Sequence, residues 1–120
     1  MDQYLARLQL ADLFLDTVPY NAHTTATEAL WVGVPVITCR GRSFAGRVGA
    51  SLLTAAGLPD LIGDDLEGYR DRALNLARSP AALGELRERL RDAKNTAAVF
   101  DTAQYVRDFE SALFGVWRRA

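Results

Sequence analysis

The chain has 120 residues, of which 49% are apolar and 24% charged, a globular balance that allows one hydrophobic core but is small for an enzyme with two lobes. Its formal net charge of −1 gives no electrostatic reason to expect binding to nucleic acid or to an anionic membrane surface. Because Cys39 is the only cysteine and no apolar run approaches the roughly 20 residues of a membrane span, we expect a soluble domain in the reducing cytoplasm.

The chain begins with a predicted helix, a short strand and a second helix. Residues 4–10 have the pattern of a helix end, and the apolar run 13–15 is typical of a buried parallel strand. After a loop, Thr24 or Thr25 is expected to cap the second helix, and Gly33 is expected to end it.

The next elements continue this alternation. Residues 34–38 are β-branched apart from Pro35 and predict a strand, and residues 61–62 are a candidate third strand. Between them we expect a helix rich in small residues, beginning at Ser43 or its neighbours and ending near Ala56. Because alternating strands and helices favour a parallel sheet with right-handed crossovers, we predict an α/β fold with a short parallel sheet.

The second half predicts three successive helices, over residues 66–77, 80–93 and 102–118. Their expected N-caps are Asp64 or Asp65, Ser79, and Asp101 or Thr102. The last helix carries an apolar stripe made of Tyr105, Phe109, Ala112, Leu113, Val116 and Trp117. We therefore divide a single partial domain into an α/β portion over residues 1–63 and C-terminal helices over residues 64–120.

The main candidate site is the triplet His23, Thr24 and Thr25. It follows a predicted strand and begins a predicted helix, so it lies at the carboxyl edge of the sheet, where open α/β sheets bind ligands. Unpaired backbone amides and the positive end of the helix dipole attract an anion there, and the three side chains add donors. The alternative is purely structural, because threonine is a common helix cap and a single histidine is most often structural.

Three acidic residues around the first strand and the second helix have structural and functional interpretations. Glu28 stands three residues after Thr25, which is capping-box spacing, but its carboxylate could instead accept hydrogen bonds from a ribose diol. Asp12 and Asp16 flank the first strand, where an aspartate more often orients a loop than takes part in chemistry.

Other reactive residue types do not form a recognisable catalytic set. Cys39 has no second cysteine and only one histidine to support a metal site or thiol catalysis. Gly41 and Gly46 do not form a dinucleotide fingerprint, because their spacing and their downstream acid are wrong. The basic residues near the sheet edge, each most often a solvated side chain, are Arg7, Arg40, Arg42 and Arg47. The pattern indicates an anion-binding site without a set of reacting groups.

Four segments together carry a resemblance to a known family: LADLFLDT at 10–17, NAHTT at 21–25, ALWVGVPVIT at 29–38 and FDTAQY at 100–105. They resemble the C-terminal lobe of O-linked N-acetylglucosamine transferases, and most of all the bacterial members associated with tetratricopeptide repeats. The resemblance covers nearly the whole chain. It implies part of a Rossmann-like lobe of a GT-B enzyme that inverts the anomeric centre, uses UDP-N-acetylglucosamine and needs no metal ion or other cofactor.

The resemblance also implies which residues contact UDP: His23, Thr24, Thr25, Glu28, Arg7 and Tyr4. The triplet matches the residues that contact the diphosphate. Glu28 stands where animal members hold the ribose with an aspartate, and Arg7 matches an arginine near the uracil. Tyr4 replaces a histidine beside the base, so it could stack there but need not bond in the same way.

The chain departs from the family pattern at two loop positions. Arg40 stands where the family often has proline and Gly46 where it often has serine, whereas Arg47 keeps the pattern. The resemblance implies that the other lobe, a lysine that meets the phosphates, the general base and the acceptor-binding repeats would lie before Met1. Catalytic residues are therefore unknown, and we expect the isolated chain to be inactive.

The implied partners are a UDP-sugar and, through regions outside these residues, a protein acceptor. An exposed lobe surface also predicts self-association, and neither nucleic acid nor a membrane is expected as a partner. Two alternatives remain open at this point. The chain could be a non-catalytic module, left by truncation, that binds a nucleotide or a protein, or it could belong to another GT-B enzyme that uses a UDP-sugar.

Overall fold

The structure is a computed structural model that describes residues 1–119. Its sheet has three parallel strands in the order β1 (Phe14–Leu15), β2 (Val36–Cys39) and β3 (Ile62–Gly63). The central strand β2 is buried along its whole length, which suits its apolar and β-branched side chains. The parallel sheet and its three strands confirm the α/β prediction.

Within residues 1–119, six α-helices surround or extend this sheet: α1 (Asp2–Leu8), α2 (Thr24–Trp31), α3 (Val48–Ala55), α4 (Leu66–Ala77), α5 (Pro80–Ala93) and α6 (Thr102–Trp117). Single turns of 3₁₀ helix cover Pro59–Leu61 and Ala98–Phe100. The last three helices begin as predicted, because Asp65, Ser79 and Asp101 each accept a hydrogen bond from the third backbone amide after them.

The predicted cap of α2 is wrong. His23 is the N-cap and makes no side-chain capping bond, so Thr24 and Thr25 are the first two helical residues and both are exposed. A capping box needs its threonine at the N-cap, so Thr25 and Glu28 do not form one. Asp16 accepts a 2.7 Å hydrogen bond from the Ala22 amide, which fixes the backbone one residue before the N-cap.

The predicted start of α3 is also wrong. The helix begins at Val48 with Arg47 as its N-cap, rather than near Ser43. A tight turn occupies the residues between, because the Ser43 hydroxyl accepts a 3.1 Å bond from the Gly46 amide. The Gly41 amide donates a 2.6 Å bond to the Gly46 carbonyl, which closes this turn.

One hydrophobic core lies between the sheet and helices from both halves of the sequence. Ile37 of β2, Leu53 of α3 and Leu90 of α5 are fully buried in it. Gly33, with a φ of +88°, ends α2 as predicted. Among residues 1–119, no helix is long and apolar enough to cross a bilayer.

The last helix stands largely outside this core, since α6 has no buried residue. The predicted apolar stripe is solvent-exposed, with Tyr105 63% and Trp117 80% exposed at its two ends. We call this exposed stripe of Tyr105, Phe109, Leu113, Val116 and Trp117 the α6 apolar face.

Candidate functional site

The candidate site lies at the carboxyl edge of the sheet. Residues 16–23 follow β1, residues 40–47 follow β2 and residues 64–65 follow β3, and parallel strands all end at one edge. His23 begins α2 at this edge, as predicted. Sequence and topology therefore agree on where a ligand would bind.

The first turn of α2 offers several hydrogen-bond donors. Its backbone amides have no acceptor within the helix, and the N-cap side chain does not cap them. Thr24 and Thr25 are exposed beside these amides, so their hydroxyls are accessible. Together with the positive end of the helix dipole, this arrangement suits a phosphate or other anion.

Two aromatic rings hold the imidazole of His23. The Tyr20 ring is stacked on it at 5.1 Å between centroids with an interplanar angle of 13°, and Phe44 meets it edge-on at 6.4 Å and 82°. Its Nε2 atom is buried and has no hydrogen-bond partner among residues 1–119. Leaving a buried polar atom unpaired costs about 1–3 kcal/mol, so this nitrogen is a candidate to bind a ligand.

A buried carboxylate organises the loop that leads to this histidine. Asp16 is only 4% exposed, and its Oδ1 accepts hydrogen bonds from the amides of Thr17 at 2.8 Å and Ala22 at 2.7 Å. Its Oδ2 accepts a 2.6 Å bond from the Thr38 hydroxyl on β2. The expectation that Asp16 orients a loop is confirmed.

Asn21 is a second organising residue, which the sequence marked only as part of a loop. It is 1% exposed, and its Oδ1 accepts a 3.1 Å bond from the Gly49 amide at the start of α3. Its Nδ2 donates to the Thr17 carbonyl at 2.9 Å, and its own amide donates to the Ala45 carbonyl at 2.9 Å. These contacts join the loops after β1 and β2, and no local sequence pattern predicts them.

Two of the predicted nucleoside contacts lie side by side. Partial burial raises the pKa of the Tyr4 hydroxyl, and the nearby Glu28 carboxylate raises it further. Tyr4 is on α1, which packs against α2, whereas Arg7 lies one turn further along α1 and is exposed. The structure therefore brings Tyr4 of α1 and Glu28 of α2 together.

The remaining candidates at this edge do not form a reactive centre. Arg40 lies 4.0 Å from the Asp64 carboxylate and both side chains are exposed, as are Arg42 and Arg47. Burial raises the pKa of the Cys39 thiol, with smaller contributions from Asp65 and Asp64, so the thiol is protonated near neutral pH and is a poor nucleophile. No metal-binding group of three histidine, cysteine or carboxylate side chains occurs within residues 1–119.

Comparison with known proteins gives the family. Residues 1–109 match the model of glycosyl transferase family 41. The chain belongs to this family. This family 41 chain is 40% identical over 116 residues to a probable UDP-N-acetylglucosamine–peptide N-acetylglucosaminyltransferase of Arabidopsis thaliana. The match covers 96% of the chain and 12% of that protein. A UDP-N-acetylglucosamine–peptide N-acetylglucosaminyltransferase of Caenorhabditis elegans is 36% identical over 118 residues, covering 98% of the chain and 10% of that protein.

A solved structure confirms the fold of the family 41 chain. A mutant of the O-GlcNAc transferase of Thermobaculum terrenum superposes with a TM-score of 0.83 at 41% identity, covering 99% of this chain and 22% of that one. The predicted fold, the C-terminal part of a GT-B lobe, is therefore confirmed. The chain spans about a tenth of the length of the curated relatives that it matches.

Proposed function

We propose that this family 41 chain is the donor-binding C-terminal portion of an inverting protein O-glycosyltransferase, which transfers N-acetylglucosamine from UDP to serine and threonine. The observation that carries the proposal is the uncapped first turn of α2 with His23, Thr24 and Thr25 at the carboxyl edge. The names of the two relatives, both UDP-N-acetylglucosamine–peptide N-acetylglucosaminyltransferases, and of the bacterial O-GlcNAc transferase support it.

In this proposal the first turn of α2 binds the diphosphate. Amides, the hydroxyls of Thr24 and Thr25, and the imidazole of His23 donate to phosphate oxygens. As the bond between the anomeric carbon and the diphosphate oxygen breaks, negative charge develops on the UDP leaving group, and the fixed donors and the helix dipole stabilise it. No metal or other cofactor is required, because the helix terminus supplies the positive potential.

The nucleoside would extend towards α1. Glu28 would accept hydrogen bonds from the ribose hydroxyls, and Tyr4, which lies beside Glu28, would contact the base together with Arg7. The general base that activates the acceptor hydroxyl would belong to a part of the enzyme outside these residues. We therefore propose that the chain alone binds UDP and does not transfer sugar.

Titration calorimetry with UDP tests this proposal. We expect micromolar binding, at least a tenfold loss in His23→Ala and Thr24→Ala, and an unchanged affinity in Thr102→Ala. Thr102 is a matched control, because it is also the exposed first residue of a helix. Circular dichroism would confirm that each variant is folded.

Each other outcome of the titration would count against the proposal. Preference for GDP or TDP over UDP would favour another GT-B sugar-nucleotide enzyme. Absence of binding to a folded chain would favour a non-catalytic interaction module.

We further propose four properties that concern the chain's partners and location. The protein acceptor would bind through regions outside this chain, and neither nucleic acid nor a membrane would be a partner. The exposed α6 apolar face supports self-association. A single cysteine supports a cytoplasmic location.

A further inference from the structure

Two exposed aromatic side chains flank the imidazole at the candidate site. Tyr20 is 65% exposed and Phe44 is 83% exposed, although both are large apolar residues. Tyr20 is stacked on the His23 ring, and Phe44 packs against the same ring in a T-shaped arrangement, so both exposed side chains take part in packing. The two rings come from different loops and meet at one histidine.

Hydrogen bonds fix the backbone that carries both rings. The Thr17 hydroxyl donates a 2.6 Å bond to the carbonyl of Tyr20. The Asn21 amide, which follows Tyr20, donates 2.9 Å to the carbonyl of Ala45, which follows Phe44. The two rings are therefore presented by loops that are tied to each other and not by free chain.

The imidazole depends on this packing for its orientation. His23 does not cap α2 through its side chain, and its buried Nε2 has no hydrogen-bond partner among residues 1–119. A histidine side chain held by no such bond would otherwise rotate, and ordering it on binding would weaken affinity. Aromatic packing can supply the missing constraint, because stacked and edge-on rings have preferred geometries.

We propose that Tyr20 is a positioning residue for the donor diphosphate, acting through His23, with Phe44 packed against the same imidazole. The proposal rests on the proposed function, since His23 must contact the diphosphate. Tyr20 itself need not touch the ligand. Its ring holds the imidazole beside the first turn of α2 before UDP arrives.

The first test needs no ligand. His23 is the only histidine, so its imidazole protons give the only histidine ring signals in an NMR spectrum of the chain. Tyr20→Ala should shift and broaden these signals, because it removes the ring current and the packing, and Tyr20→Phe should restore them. Tyr105→Ala is a matched control, because Tyr105 is 63% exposed and is stacked on Phe109 at the same interplanar angle of 13°. Unchanged imidazole signals in Tyr20→Ala would overturn the proposal whether or not UDP binds.

The second test is a double-mutant cycle on UDP affinity. Tyr20→Ala should weaken UDP binding about three- to tenfold, whereas Tyr20→Phe should stay within about twofold of the wild type. In a His23→Ala background, Tyr20→Ala should have no further effect. An equal loss in both backgrounds would show that Tyr20 contacts the ligand directly and would overturn the positioning role. If the wild type fails to bind UDP, the proposed function fails and this proposal fails with it, even where the NMR signals respond as expected.

Discussion

The hydroxyl of Thr38 in β2 donates a 2.6 Å hydrogen bond to the carboxylate of Asp16 at the end of β1. Both side chains are buried, at 0% and 4% exposure. The β1–β2 ladder has only two residue pairs, so this side-chain bond extends a short connection between the strands. The other carboxylate oxygen of Asp16 holds Ala22, one residue before His23. A single buried carboxylate thus links the sheet to the start of α2.

The first prediction concerns this carboxylate. Asp16→Ala leaves three donors without an acceptor, and we expect the free energy of unfolding in urea to fall by about 3 kcal/mol, since hydrogen bonds to a charged group contribute about 1.5–3 kcal/mol. UDP affinity should fall as well, because the loop before His23 loses its anchor. Asp12→Ala is the control: Asp12 is 82% exposed and pairs with Arg87 at 3.3 Å, so its loss should cost less than about 1 kcal/mol. Equal effects of the two substitutions would contradict this account.

Glycine substitutions at two helical positions should have opposite effects. A Cβ at Gly49 would lie 2.5 Å from the Thr38 hydroxyl and would also meet the Asp16 carboxylate, so Gly49→Ala should destabilise the fold by about 1–3 kcal/mol. A Cβ at Gly84, inside α5, meets no atom within 4 Å, so Gly84→Ala should stabilise the fold by about 0.5–1 kcal/mol. Thermal melts should show a lower melting temperature for Gly49→Ala and a higher one for Gly84→Ala. Stabilisation by Gly49→Ala would contradict the close approach of Gly49 to Thr38 and Asp16.

Acid should remove a contribution from Asp60. The hydrogen bonds from Arg89, at 3.0 and 3.1 Å, lower the pKa of the Asp60 carboxyl below its ordinary value of 3.8. A lowered pKa in the folded state stabilises the fold above pH 3.8 and loses that effect as the pH falls through the lowered value. Because both side chains are about half exposed, we expect this ion pair to contribute less than about 1 kcal/mol to the free energy of unfolding.

Urea titrations of wild type and Asp60→Asn between about pH 2 and 6 would measure this contribution. The free energies of unfolding of the two proteins should differ at the highest pH of this range and become equal at the lowest pH. If the difference in stability between wild type and Asp60→Asn does not vary with pH, the ionised Asp60–Arg89 pair is not its cause.

UDP binding should not require a metal ion. The proposed positive potential comes from the first turn of α2, so the Kd for UDP should be the same in EDTA and in Mg²⁺ within about twofold. Calorimetry in the two buffers measures this directly. A Kd that rises tenfold or more in EDTA would show that a cation takes part in diphosphate binding.

The α6 apolar face should drive self-association of the isolated chain. Light scattering should report a mass that rises above the 13.2 kDa of one chain as the concentration increases. Phe109→Glu combined with Leu113→Glu should abolish this rise, because it places charges in the middle of the face. Ser111→Glu adds a charge on the same helix outside the face and should leave the rise unchanged. A wild type that stays monomeric at all concentrations would contradict the prediction.

Much of the fold could be predicted because its signals are local. Asp65, Ser79 and Asp101 each cap a helix by accepting a hydrogen bond from the amide three residues later. A few neighbouring residues therefore specify where α4, α5 and α6 begin. The apolar runs of β1 and β2 likewise predict buried strands, and their alternation with helices predicts a parallel sheet. The position of His23 at the carboxyl edge follows from that order, and resemblance to a family supplied the proposed ligand.

The geometry of the site depends on contacts between distant parts of the chain. Thr38 and Asp16 are 22 residues apart, and Gly49 and Asn21 are 28 apart, so no local pattern reveals that they bond. The Asp16 carboxylate that accepts from Thr38 also accepts from the Ala22 amide, and the next residue, His23 rather than a threonine, is the N-cap of α2. The stacking of Tyr20 on His23 and the support from Phe44 arise in the same way, because two loops must first be brought together by the sheet. Local sequence thus specified the elements and their order, while packing across the sheet edge set the orientation of the groups that would meet a ligand.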